Sequence, residues 1–160
     1  MHSACRPDNV REARPDDARH LAALYSEIFH KQWGQADLEE RLKGPDSICY
    51  ILDSEVPGKP LGYLLAVGLV EVVEILSVGI AENRRRQGWA QKLFNRLLQD
   101  SVQSGISEIV LEVSEENNAA RQFYLKNGFV PVGRRPGYYR TEQSDSQIQR
   151  VDALILRRSV

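Results

Sequence analysis

Glu112, Asn117 and Tyr124 are residues of this sequence whose types and spacing can gather a carboxylate, an amide and a phenol. Side chains alternate faces along a strand, so if Leu111 and Val113 point into a core, Glu112 points the other way. Taken alone, that is also the pattern of a solvated carboxylate at a strand end. The following segment changes the reading. Asn117 and Tyr124 lie seven residues apart, two turns of a helix, with Ala120 between them on the same face. A carboxylate, an amide and a phenol can therefore converge on one cleft.

A second group lies upstream. Ser77-Val78-Gly79-Ile80 reads as the end of a strand, and Arg84-Arg85-Arg86-Gln87-Gly88-Trp89-Ala90-Gln91 as a basic loop that opens an amphipathic helix. The first N–H groups of a helix have no intrahelical partner, and the helix dipole makes the spot electropositive, so the junction suits a phosphate. Gly88 and Ala90 are small enough to let an anion approach the backbone. Spacing alone does not separate this from an exposed turn with solvated arginines.

These groups need a scaffold. The chain has 160 residues, of which 42% are apolar, which suits a single domain spanning 1–160 around one core. A formal net charge of -1 argues against a module held on duplex nucleic acid by phosphate attraction, while a local basic patch stays open. Cys5 and Cys49 form neither a CxxC pair nor a metal spacing, so no disulfide framework and no zinc site are expected. The longest apolar stretch, 61–70, is broken by Gly62 and Gly68 and is about half the length of a membrane span. No secretory signal is visible, and a cytoplasmic protein is expected.

Pro15, followed by Asp16 and Asp17, starts a helix over 15–29 in which Leu21, Leu24, Tyr25 and Ile28 recur at helical spacing. A shorter helix covers 35–43, stopped by Gly44 and Pro45. Strands are expected over 47–53, 60–70 and 72–80. From Ala90, the residues Leu93, Phe94, Leu97, Leu98 and Val102 mark the apolar stripe of a helix that Gly105 can cap. A strand over 109–113, a helix over 117–126 and closing strands at 129–132 and 151–156 complete the order β, α, α, β, β, β, α, β, α, β, β. That order predicts an α/β sandwich with a mixed, largely antiparallel sheet.

On these residues the sequence resembles the GCN5-related N-acetyltransferase (GNAT) superfamily. Arg85-x-x-Gly88-x-Ala90 after a Val/Ile strand is similar to that superfamily's acetyl-CoA pyrophosphate loop. More narrowly, Gly79-Ile80, Arg86-Gln87-Gly88, Leu111-Glu112-Val113, Asn117-Asn118-Ala119-Ala120 and Tyr124-x-x-x-Gly128-Phe129 resemble the bacterial ribosomal-protein alanine N-acetyltransferases of the RimI type. Trp33, Arg134-Arg135 with Tyr138-Tyr139, and Asp152-Ala153 are similar to the same subfamily. Ala90 in place of a second glycine, the bulky Trp89, Gly137 and the polar segment 141–150 depart from the pattern.

The resemblance implies a GNAT fold, with about four helices flanking the sheet, and direct transfer of acetyl from acetyl-CoA to an amine without a metal. A protonated α-amino group, pKa about 8, needs a base, and the resemblance assigns this role to Glu112. An ordinary glutamate, near pKa 4.3, acts there only with partial burial or through ordered water. Tyr124 would supply a proton to the leaving thiolate. Amides of Val78 and Ile80, flanking Gly79, would hold the pantetheine arm and polarise the acetyl carbonyl, and Asn117 would bind nearby. Amides of Arg86, Gln87, Gly88, Trp89, Ala90 and Gln91 would hold the pyrophosphate, while Arg85 and its neighbours attract the outer ribose phosphate.

Trp33, Tyr138 and Tyr139 either wall an acceptor groove or serve as core and rim aromatics. The implied acceptor is the N-terminal alanine of a ribosomal protein. Other protein N-termini, lysines and small amines stay open, as does a noncatalytic acyl-CoA-binding sensor. Neither nucleic acid nor membrane is an expected direct partner.

Overall fold

The computed structural model describes residues 9–30, 32–142 and 148–160. Val10–Glu12 forms β1. Pro15–Asp17 makes a 3-10 turn in which the Arg14 N–H donates to the Asp17 carboxylate at 2.8 Å, and helix α1, Ala18–Phe29, follows. The helix expected over 15–29 is therefore two pieces. Proline fixes the entry, and its missing N–H falls where a helix has no partner to offer. Helix α2 is Gln35–Lys43. Strands β2 (Ser47–Leu52), β3 (Gly62–Leu69) and β4 (Val72–Ile80) come next, and a 3-10 turn at Glu82–Arg84 leads to α3, Trp89–Gln103. Strand β5 (Glu108–Ser114), helix α4 (Asn118–Lys126) and strands β6 (Val130–Glu142) and β7 (Ile148–Ser159) complete the chain.

All seven strands lie in one sheet, in the order β1-β2-β3-β4-β5-β7-β6. Every neighbouring pair is antiparallel except β4 and β5, which run parallel. This is the mixed, largely antiparallel α/β architecture expected from the element order. Alternation along the strands builds two cores. On one face Tyr50, Leu52, Leu64 and Ala66 meet Leu93, Phe94 and Leu97 of α3 and Tyr124 of α4. On the other, Cys49, Ile51, Tyr63 and Leu65 meet Leu21 and Leu24 of α1 and Leu38 of α2. Each fully buried large aliphatic side chain contributes about 1.5–3 kcal/mol.

Two expectations are corrected. Val102 was expected on the buried stripe of α3 but is 61% exposed, and Ser101 takes the inward place at 3%. Counting from Phe94 and Leu97 by seven and four lands on position 101, so geometry prevails over residue type. The closing strands are also much longer than expected. The strand expected to end at 132 continues through Gly133, Pro136 and Gly137, residue types common in turns, because the register of β6 against β7 shifts at Pro131/Gly133 and at Arg135/Tyr139. Bulges on an edge strand accommodate prolines that a central strand would not. Of the segment 141–150, residues 143–147 lie outside the described residues. Among the described residues no helix is long and apolar enough to cross a membrane, and no cluster of His, Cys, Asp and Glu could hold a metal ion.

Candidate active site

The site begins where the parallel pair comes apart. Strands β4 and β5 pair from Val72↔Glu108 to Ile75↔Leu111 and no further. On the other side of β4, the register with β3 passes from Leu65↔Ser77 to Ala66↔Ile75, leaving Leu76 unmatched. One extra residue kinks the bulged strand and increases its twist, and here it opens a wedge beside β5.

The amides of β4 can be assigned to sides. The Ala81 N–H donates to Leu61 O at 2.8 Å, on the β3 side. Successive amides of a strand point in opposite directions, so Gly79 and Ser77 also face β3, while Val78 and Ile80 face the wedge. The Ile80 carbonyl on that side accepts from Arg85 Nε at 3.2 Å, which turns this guanidinium back onto the strand end. Gly79 stands where a side chain has no room: an added Cβ would lie 2.7 Å from the Tyr63 ring and 2.8 Å from Ile28.

The wedge encloses about 210 Å³ and is lined by Val78, Glu112, Asn117, Ala120, Tyr124 and Tyr139, among others. The carboxylate, amide and phenol singled out by spacing thus border one hollow. Glu112 points away from buried Leu111 and Val113, and its side chain is 19% exposed. Arg135 of β6 lies beside it, Nη2 to Oε1, at 2.8 Å. Tyr124 is buried, and desolvation, with a smaller effect of Tyr139, pushes its hydroxyl up to about 12. Burial is also the main cause that raises Tyr139, ahead of Tyr138 and Glu112. Asn117 sits one residue before α4 rather than inside it, and its Oδ1 caps the helix by accepting from the Ala120 N–H at 3.1 Å. The Nδ2 group of Asn117 has no acceptor among the described residues.

At the start of α3 the chain makes an open turn. Arg86 has φ 61° and Gly88 φ 81°, both in the left-handed region. The first bond of the helix runs from the Lys92 N–H to Gly88 O at 3.2 Å. Every amide from Arg86 through Gln91 is without an acceptor among the described residues. This is the electrostatic form of an anion cradle. Side chains around it are engaged with one another: Trp89 donates to Gln87 at 3.2 Å, and Gln91 and Asn127 exchange bonds of 2.7 and 3.0 Å. Arg84 and Arg86 form no ion pair among the described residues.

The aromatic residues separate. Tyr139 lines the wedge, while Tyr138 is half exposed, edge-on to Tyr139 at 5.1 Å. Trp33 is elsewhere. It packs edge-on against Tyr25 at 5.1 Å, in the core beneath α1 and α2. Sequence reasoning missed Phe29, 39% exposed at the end of α1, which lines the wedge and stacks on Tyr25 at 4.7 Å. Arg135 was named only within the resemblance and its pairing with Glu112 was not foreseen, because no local spacing links a residue of β6 to one of β5. The signal available in the sequence was an aromatic at the last turn of the expected helix, outside the stripe of Leu21, Leu24, Tyr25 and Ile28.

A strand pair that opens, followed by a helix start of unengaged amides, is the arrangement the sequence resemblance implies, and similarity to known proteins identifies the family. The family model described as Acetyltransferase (GNAT) family matches residues 18–129, from the start of α1 to just past α4. The chain belongs to the GNAT acetyltransferase family. N-alpha-acetyltransferase RimI of Mycobacterium tuberculosis is 27% identical over 159 residues, covering 96% of this chain and 98% of that one. The fold is similar to the crystal structure of the ribosomal-protein-S18-alanine N-acetyltransferase from Escherichia coli, with TM-score 0.83 and 20% identity over 94% of this chain and 92% of that one. It is also similar to Arabidopsis thaliana NAA60 in complex with acetyl-CoA, with TM-score 0.80 and 20% identity over 94% and 97% of the two chains.

Proposed function

We propose that this GNAT N-acetyltransferase is a single catalytic domain of the cytoplasm that acetylates protein N-termini with acetyl-CoA, the N-terminal alanine of a ribosomal protein being the favoured acceptor. The observation that carries the reading is the convergence of Glu112 and Tyr124 on one wedge, with the amides of Val78 and Ile80 directed into it. The acceptor rests on the relatives: one is named for N-alpha acetylation and a structural neighbour for the alanine of protein S18.

Acetyl-CoA, when bound, supplies a thioester whose sulfur departs as a thiolate. The residues present fit such a carrier. Unengaged amides from Arg86 to Gln91 would hold the pyrophosphate, with Arg84 and Arg86 near enough in sequence to meet a further phosphate. The amides of Val78 and Ile80 would hold the pantetheine arm and polarise the acetyl carbonyl, acting as preorganised donors. The Asn117 amide would donate to the same arm.

At the acceptor end, an α-ammonium must lose a proton before its nitrogen can attack. Glu112, mostly shielded from solvent, is the base, taking that proton directly or through water. Tyr124 is the acid. Its hydroxyl, held protonated by burial, makes no hydrogen bond to any described residue, so its proton is available to the departing sulfur. Tyr139 and Phe29 form the lip past which the acceptor enters.

Intact-mass spectrometry tests the reading. With acetyl-CoA present, a peptide beginning with a free alanine should gain one acetyl group and release one equivalent of CoA. A peptide with a blocked N-terminus and an internal lysine should not react, nor should spermidine. Acetylation of the lysine or the polyamine in preference to the free N-terminus would replace the acceptor assignment, and binding of acetyl-CoA without release would favour a sensor.

A further inference from the structure

Glu112 carries a counter-ion for which the reaction above has no use. Arg135 approaches it to 2.8 Å, yet its side chain is 52% exposed against 19% for Glu112. The pair is an ion contact without an aligned hydrogen bond. Arg134, one position earlier, is held otherwise: it donates to Glu115 at 2.9 Å and to Asp152 at 3.0 Å. Asp152 also accepts the Gly137 N–H at 2.8 Å, so these contacts pin the bulge that separates Arg135 from Tyr139. On that bulge the Tyr138 ring lies beneath Arg135, 4.8 Å from its guanidinium carbon. Arg135 therefore has two resting contacts, a carboxylate and an aromatic face, and the second persists when the first is given up.

An amine acceptor reaches the protein mostly as an ammonium and needs the same carboxylate. An ion pair whose cation is half exposed and makes no aligned hydrogen bond is weak enough to exchange one cation for another. We propose that Arg135 is a displaceable counter-ion of Glu112: the acceptor's ammonium takes its place at the carboxylate, and the guanidinium retires to the Tyr138 ring. Charge balances, one cation leaving as one arrives. Arg135 is on this account a positioning residue that keeps Glu112 oriented into the wedge and makes acceptor entry a cation exchange. The proposal rests on Glu112 being the group that receives an amine.

Calorimetric titration of the CoA-loaded protein with a synthetic peptide bearing a free N-terminal alanine tests it, because no transfer can occur. Arg135→Gln should bind the peptide about fivefold more tightly than wild type, since the competing cation is gone. Arg135→Lys, which keeps a cation, should bind like wild type. In a Glu112→Gln background, Arg135→Gln should bring no gain, and the same peptide with an acetylated N-terminus should show no gain in any form. Unchanged or weaker binding by Arg135→Gln, an equal gain with the acetylated peptide, or failure of every form to bind the free peptide overturns the proposal. Should the binding pattern hold while acetyl-CoA yields no CoA in turnover, the exchange stands and the transferase reading alone is lost.

Discussion

Two hollows on this molecule invite comparison. The larger, of about 510 Å³, lies between the C-terminal half of α3 and strands β1 and β2; the wedge between β4 and β5 encloses about 210 Å³. In the larger one the polar groups are largely engaged with each other. Tyr50 donates to Asp100 at 2.6 Å, Arg96 donates to the same carboxylate at 2.8 Å, and Arg96 also lies over the Tyr50 ring. Among the described residues, the buried hydroxyls of Ser47 and Ser101 are without partners there. In the wedge and the adjoining loop the reverse holds: strand amides, helix-start amides and a buried phenol have no partner among the described residues. Size does not mark the proposed site; hydrogen-bonding capacity without an internal partner is what sets it apart.

Substitutions can break or sharpen that contrast. The largest effect should come from Glu112→Gln, which should lower kcat by about a hundredfold or more while leaving acetyl-CoA affinity unchanged, as stopped-turnover assays and calorimetry would read. Loss of cofactor binding in step with rate would make Glu112 a structural residue.

Tyr124→Phe should follow, with kcat down by about ten- to a hundredfold. Because the native hydroxyl is pushed up to about 12, wild type should lose no rate through this group in the mildly alkaline range. The same shift has a stability consequence. An unfolded tyrosine titrates near pKa 10, so the native preference for the protonated phenol contributes fully below about pH 10 and is lost as pH rises through about 12. Urea midpoints of Tyr124→Phe should therefore decline less steeply with alkalinity than those of wild type. A residual decline should persist, since burial also raises Tyr50 and Tyr63.

Gly88→Ala should be milder. The new Cβ meets nothing within 4 Å, but the left-handed φ of 81° remains, and that conformation costs about 1 kcal/mol for a residue with a side chain. Binding of acetyl-CoA should weaken by about fivefold, a shift visible by calorimetry. Smallest in its effect on catalysis is Tyr50→Phe, in the other hollow. Removing the 2.6 Å bond should cost about 1 kcal/mol in a denaturant melt and leave kcat and KM as they were. A fall in kcat comparable to that of Glu112→Gln would abolish the distinction between the two hollows.

The difference between what the sequence disclosed and what it concealed follows the range of the interactions. Leu21 and Leu24, or Leu93, Phe94 and Leu97, report their own helix faces, because a 3.6-residue period is a local property. Glu112, Asn117 and Tyr124 could be brought together because a strand runs almost directly into a helix, leaving little freedom between them. Trp33 could not be placed that way. Its position depends on Tyr25 of α1, a partner that only tertiary packing supplies. Arg135 meets Glu112 across β7, the strand that lies between β5 and β6 in the sheet, and no count along the chain reveals this. Long β6 was hidden for another reason: its prolines and glycines carry the chemistry of a turn, and only pairing with β7 makes bulges of them.

The opening turn of α3 has an evolutionary corollary. Its N–H groups belong to the main chain, which every residue but proline provides alike, so the cradle tolerates wide changes of side chain provided the left-handed positions at Arg86 and Gly88 survive. Descendants of a common ancestor can drift until few letters agree there and still share the same curve of peptide planes.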